Sequence, residues 1–235
     1  FETGLLWKAG CSALPDDRPM AMRRLETTEK ALRRAPEKAA AYQATMTEYV
    51  TKGYARRLSQ EELQQRHPRC WHLPHHAVTS PNKPGKFRVV FDAAARYAGT
   101  SLNDNLMTGP DLLKQIPGVL LRFRQQPVAL IADIEQMFLQ VAVRAEDQPA
   151  LRFLWRDMDG DRPPDTYQMD RVIFGARSSP ASASFVLKKT ADDKCEDTPA
   201  SRAAAAIVKD DFYMDDLVTS VSCPTAAVTA VTEVT

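Results

Sequence analysis

The apolar positions of this chain change their spacing several times, and each change marks an element. Between residues 18 and 35, Met20, Met22, Leu25 and Leu32 recur among Arg, Glu and Lys at helical intervals, and Pro36 closes that helix. A second helix is predicted from Glu37 to about Lys52, with Gly53 as its stop. Residues 71–92 turn extended: Pro74, Pro81 and Pro84 punctuate them, and Phe87–Phe91 is rich in β-prone side chains. Gly109-Pro110 opens a helix predicted over Asp111–Arg124, and Pro127 starts a strand that ends at Asp133. Leu151–Trp155 and Thr166–Met169 read as a hairpin joined by an Asp/Gly/Pro-rich loop. Pro180 begins a helix to about Thr190, followed by an Ala-rich stretch, a strand at Phe212, a tight turn and a last strand to Val221. There is no internal repeat. Helices and strands mix without regular alternation, which predicts an α+β fold rather than a doubly wound sheet.

The tight turn is the most informative segment. Tyr213-Met214-Asp215-Asp216 lies between Ile207-Val208 and Leu217-Val218, read here as short apolar strands. Adjacent strand positions point to opposite faces, and neighbouring carboxylates repel. A divalent cation removes that repulsion. A third carboxylate is then expected at the end of another buried strand, and Val128-Ala129-Leu130-Ile131-Ala132-Asp133 supplies one. Asp210 and Asp211 fit no such pattern and are expected to be solvated.

Bulk properties narrow the class. At 235 residues with 44% apolar residues, the chain can bury a real core and is not disordered. No apolar run approaches the roughly 18 residues of a membrane span. The opening Phe-Glu-Thr-Gly is no signal peptide and lacks an initiator Met, so a piece of a longer product is expected. Cys11, Cys70, Cys195 and Cys223 lack paired spacing and read as reduced thiols. The net charge of +1 conceals an asymmetry: residues 1–130 hold 20 Lys/Arg against 12 Asp/Glu, and residues 131–235 hold 11 against 18. A basic front half suits a polyanionic partner, and an acidic back half suits metal ions.

Leu73-Pro74-His75-His76-Ala77-Val78, Phe87-Arg88-Val89-Val90-Phe91-Asp92, Ser101-Leu102-Asn103-Asp104, Ala132-Asp133-Ile134-Glu135-Gln136-Met137-Phe138 and Phe212-Tyr213-Met214-Asp215-Asp216 occur in that order. Together they resemble the reverse transcriptase of Bel/Pao-type LTR retrotransposons, over nearly the whole chain. The resemblance implies a right-hand polymerase. Residues 1–70 would be a helical lead-in, 71–108 and 142–175 the fingers, and 109–141 and 176–235 the palm. The palm would be a ferredoxin-like sheet with helices on one face. Because 19 residues follow Asp216 in the 235-residue sequence, thumb, primer-gripping hairpin and ribonuclease domain are expected to lie outside it.

The resemblance also implies roles. Asp133, Asp215 and Asp216 would be the catalytic carboxylates holding two Mg²⁺ ions, with Mn²⁺ as an alternative and the Ile134 carbonyl contributing. Hard oxygen ligands suit such ions, and nucleotidyl transfer needs their charge. Arg88 would sit over the incoming dNTP with Lys86 as a second cation. Phe138 would lie under the sugar and exclude a 2′-hydroxyl. Gly175, in Phe174-Gly175-x-x-x-Ser179-Pro180, would carry the template–nucleotide pair; many retroviral relatives have Gln where Phe174 stands. Asp92, Asn103, Tyr213 and Met214 would face template and primer. Implied partners are an RNA or DNA template–primer, dNTP and the rest of a Pol polyprotein (thumb, ribonuclease H, integrase), with no membrane. The setting would be cytoplasmic or within virus-like particles.

Other motifs are weaker. His67-x-x-Cys70-x-His72-x-x-His75-His76 invites zinc, but its spacing matches no common finger. Asp157-Met158-Asp159-Gly160-Asp161 resembles a calcium loop, but the Gly is misplaced and position 168 is Gln, so a hairpin turn is expected. No Asp-Thr/Ser-Gly occurs, so peptidase activity is not expected. Two rivals to the polymerase remain: a truncated or domesticated remnant that binds nucleic acid without catalysis, and a metal-dependent nuclease using the same acids.

Overall fold

The computed structural model describes residues 1–79 and 87–234, with Thr79 and Phe87 described by their backbone alone. In chain order the elements are β1 (Glu2–Thr3), α1 (Arg18–Arg33), α2 (Pro36–Thr51), β2 (Ala55–Arg57), α3 (Gln60–Gln64), β3 (His75–Thr79), β4 (Phe87–Phe91), α4 (Leu102–Asn105), α5 (Ile116–Phe123), β5 (Val128–Asp133), β6 (Ala142–Val143), β7 (Arg152–Trp155), β8 (Asp165–Met169), α6 (Ser179–Lys194), α7 (Pro199–Asp210), β9 (Phe212–Tyr213), β10 (Asp216–Val221) and α8 (Pro224–Val234). The fold is mixed α+β with small sheets. Among the described residues no helix is long and apolar enough to cross a membrane.

The chain divides into two compact units, the first comprising Phe1–Thr108 and Phe138–Ser179, the second Gly109–Met137 and Pro180–Thr235. In the first, β2, β8 and β7 form an antiparallel sheet and β3 and β4 a two-stranded hairpin. Helix α1 buries Met20, Ala21, Leu25, Glu29 and Leu32, a stripe at helical spacing. Glu29 is not a misplaced polar residue. Both its carboxylate oxygens accept from Arg156, at 2.8 and 2.6 Å, in a buried bidentate pair. Trp71, Tyr42, Leu73, Phe153 and Leu154 are almost completely enclosed and form the centre of this core.

The second unit holds the antiparallel sheet β5–β10–β9. Leu217 and Thr219 point inward and are buried, and helices α7 and α8 close over an apolar cavity lined by Leu130, Leu217, Ile207, Ala230 and Val231. On the other face Ile131 is 73% exposed. Strand β5 is therefore not the buried strand its apolar run suggests: it lies at the end of the strand order with one face open. Two further expectations change, and one element is new. Ile207 and Val208 lie in α7, the Ala-rich helix, and only Phe212–Tyr213 forms a strand before the turn. The helix expected from Asp111 begins at Ile116, because Asp111 turns back to accept from the Leu113 amide at 3.0 Å. Residues 224–234, nearly free of charge, form α8.

Candidate functional site

In the second unit, Met214 and Asp215 form the two-residue connection between β9 and β10, since Tyr213 pairs with Asp216. Asp216 is also the register partner of Asp133 on β5. Partners across a pair of strands project from the same face, so the β5 terminus and the hairpin tip place their acids side by side. The Ile134 amide donates to the Asp215 carbonyl at 2.9 Å and ties the two tips together. Carboxylate oxygens of Asp133, Asp215 and Asp216 lie within 4.8 Å of one another, and all three residues are exposed. At that spacing each like-charged pair costs about 1 kcal/mol even in water-like screening. Two non-glycine residues beside the acids carry positive φ, Met214 (56°) and Gln136 (52°). Each such conformation costs on the order of 1–3 kcal/mol, so the tip combines repulsion with backbone strain.

The donor set fits a hard divalent cation. Two oxygens on one Mg²⁺, each at about 2.1 Å, are separated by at most about 4.2 Å. A cluster spanning no more than 4.8 Å closes onto an ion by side-chain movements of about 1 Å or less. The set contains neither thiolate nor imidazole, which would have favoured zinc.

Of the two acids expected to be solvated, Asp210 keeps about half of its side chain exposed and Asp211 does not. Asp211 is buried; one of its oxygens accepts from Arg122 Nε at 2.6 Å and the other from the Thr219 hydroxyl at 2.6 Å. Asp210 accepts from Lys114 Nζ at 2.7 Å, and that hydrogen bond holds its carboxyl below the usual carboxylate range. Arg122 and Asp211 are 89 residues apart, and nothing in the apolar pattern connects them.

The first unit holds most of the residues assigned by resemblance to nucleotide and template. Arg88 is exposed on β4, opposite Val78, and makes no ion pair among the described residues. Lys86 lies outside the described residues. The Asp92 carboxylate accepts from Arg24 (3.1 Å) and from the Ala94 amide (3.2 Å). Asn103 is a two-way brace: its amide NH₂ donates to the Gly175 carbonyl (3.0 Å) and its oxygen accepts from the Arg177 amide (2.7 Å). Gly175 is required by its own backbone. Its φ is +120°, and a Cβ there would collide with the Phe91 carbonyl oxygen. The Ser179 hydroxyl donates to the Ile173 carbonyl at 2.6 Å, fixing the other end of the loop. Phe138 is half-buried and packs its ring against that of the exposed Phe174, with centroids 5.6 Å apart. In the second unit, Tyr213 and Met214 are half-buried.

The His/Cys segment has other uses. His75 is buried; its Nε2 donates to the Leu154 carbonyl (2.9 Å) and its Nδ1 accepts from the Tyr42 hydroxyl (2.5 Å). The His72 amide and Nδ1 engage the fully buried Asp17. Burial pushes the Asp17 carboxyl up. Asp16, Asp17 and His72 also lie close enough to hold an ion, but Asp17 already serves as an internal acceptor. In the 157–161 segment, Asp157 accepts from Trp155 Nε1 (3.0 Å) and pairs with Arg162 (2.9 Å), as a turn between β7 and β8.

No family model matches the chain, and no curated protein matches it. Among solved structures the chain is similar to a foamy viral protease–reverse transcriptase dRH in complex with ds DNA, with a TM-score of 0.55 and 16% identity. The match covers 79% of this chain and 26% of that one, so this chain spans about a quarter of that protein's length. The fold is reverse-transcriptase-like.

Proposed function

We propose that the chain is the catalytic-acid-bearing segment of an RNA-directed DNA polymerase of the Bel/Pao retrotransposon type. Residues 71–108 and 142–175 serve as fingers, 109–141 and 176–235 as palm, and 1–70 as a lead-in. The observation that carries the reading is the meeting of Asp133, Asp215 and Asp216 at one end of an antiparallel sheet. Within the second unit the order β5–α6–α7–β9–β10–α8, with β5 beside β10, is also what a ferredoxin-like sheet requires of its first three strands.

Asp133, Asp215 and Asp216, with the Ile134 carbonyl, would hold Mg²⁺. When bound there, the ions would supply positive charge to offset the triphosphate and to favour deprotonation of the primer 3′-hydroxyl. Arg88 presents a planar fork to phosphate oxygens, with Lys86 as a second cation. Phe138, steadied by Phe174, stands under the sugar and excludes a 2′-hydroxyl. Gly175 and its neighbours support the template–nucleotide pair, and Asn103 acts through the loop it braces. Asp92, Tyr213 and Met214 belong to the template–primer side. Partners are an RNA or DNA template–primer, dNTP and the thumb, ribonuclease H and integrase parts of a Pol polyprotein, in the cytoplasm or in virus-like particles.

The test is primer extension on an RNA template with Mg²⁺ and dNTPs, using the chain with a polymerase thumb fused after Thr235. The same duplex without dNTPs is run beside it. Extension supports the reading. Strand cleavage indicates a nuclease, and binding with neither reaction a non-catalytic remnant.

A further inference from the structure

We infer that Arg122, Asp211 and Thr219 form a positioning lock that fixes the root of the carboxylate-bearing hairpin; the inference rests on the metal-binding role proposed for Asp133, Asp215 and Asp216. The hairpin needs such a device. Strand β9 is only two residues long, so few ladder hydrogen bonds hold it. At its tip, Asp216 stands directly opposite Asp133, and like charges in register push strands apart. Met214 adds a positive φ at the turn.

Asp211 sits just before β9, four positions ahead of Asp215 in the sequence, and is the one acid of this segment that is buried. Its carboxylate receives the Arg122 guanidinium from α5 and the Thr219 hydroxyl from β10. Its carbonyl accepts from the Val218 amide at 3.1 Å, and its own amide donates to Ile207 at the end of α7. Arg122 also donates to the Asp210 carbonyl, and its carbonyl accepts from the Ser220 hydroxyl at 3.1 Å. The root of the hairpin is thus tied to α5, α7 and β10 at once. An apolar contact could supply stability there, but only directional hydrogen bonds fix the register and rotation of a two-residue strand. Residues that orient metal ligands from behind typically change metal affinity about 10–100-fold when removed.

The experiment measures Mn²⁺ binding alone, by electron paramagnetic resonance titration of the full chain, with far-UV circular dichroism as a folding check. Arg122→Met should weaken Mn²⁺ binding on the order of tenfold. Thr219→Val, which changes no charge and little volume, should weaken it by a few-fold. The sign is diagnostic. If Arg122 mattered only as a nearby positive charge, its removal would tighten binding of a cation. Mn²⁺ binding by folded Arg122→Met that equals or exceeds wild type overturns the lock. Should Arg122→Met fail to fold, unchanged binding by Thr219→Val overturns it equally. Asp215→Asn is the control that separates the two ideas. If it binds Mn²⁺ like wild type, the metal reading itself fails. If it weakens binding while Arg122→Met and Thr219→Val do not, only the lock fails.

Discussion

Acidification should loosen the first unit through one side chain, His75. Its imidazole is enclosed by Tyr42, Phe91, Phe153 and Trp155, with ring centroids 5.6–5.9 Å away. The Leu154 carbonyl can only accept, so Nε2 carries the proton and Nδ1 accepts from Tyr42. Burial is the main reason the His75 pKa falls from 6.5 to about 4, with the neighbouring His76 adding to the fall and the Leu154 hydrogen bond opposing it. A folded pKa below the unfolded one means the native state binds fewer protons in that range. The stability contributed is therefore complete above about pH 6.5, is lost as pH falls toward 4, and changes little below that. The full gap corresponds to roughly 3 kcal/mol, and the loss between pH 7 and pH 5 to about 2 kcal/mol. Urea unfolding followed by tryptophan fluorescence measures it, since the Trp155 ring lies 5.8 Å from His75. His75→Gln keeps a donor and an acceptor but does not titrate. It should be less stable at pH 7 and should lose about 2 kcal/mol less than wild type on going to pH 5. The other histidines and the acids are common to both proteins and cancel in the comparison. Equal losses in wild type and His75→Gln would mean that His75 is not the group that titrates.

Gly175→Ala should lower the unfolding midpoint by about 5 °C or more in a calorimetric scan, because the new Cβ meets the Phe91 carbonyl at a positive φ. Glu29→Met should cost about 3–5 kcal/mol by leaving the Arg156 cation buried and unpaired, and the double change Glu29→Met/Arg156→Met should recover most of it in denaturant titrations. Phe138→Ala, in the thumb-bearing chain, should lower the dNTP-to-rNTP ratio of kcat/KM on the order of tenfold, equivalent to about 1.4 kcal/mol. Phe174→Ala should move the ratio the same way, since the two rings pack together.

How much of this was legible in the sequence depended on whether the information was local. Helices α1 and α2 and strand β4 could be read from spacing, proline and β-branched or aromatic residues. The segments that bring the three carboxylates together were legible because a strand ending in an acid and an acidic two-residue turn are both local patterns. Burial was not legible: an apolar run such as Val128–Asp133 looks the same whether its strand is enclosed or exposed. The alanine-rich α7 has only Ile207 and Val208 as large apolar residues to mark its stripe, and α8 has almost no charge to mark a polar face, which hid both helices. Long-range polar partners were the hardest. Asn103 bracing the Gly175 loop and Asp211 gripping Arg122 depend on contacts 72 or more residues away, and no spacing rule announces them.

The role proposed for the carboxylates of Asp133, Asp215 and Asp216 is metal-assisted nucleotidyl transfer. Its most direct test is Asp215→Asn in the thumb-bearing chain, scored for Mg²⁺-dependent primer extension and for template–primer affinity at fixed salt. Extension should be lost while affinity changes by less than about twofold, because affinity comes mainly from basic contacts to phosphates. Undiminished extension by Asp215→Asn would contradict that role.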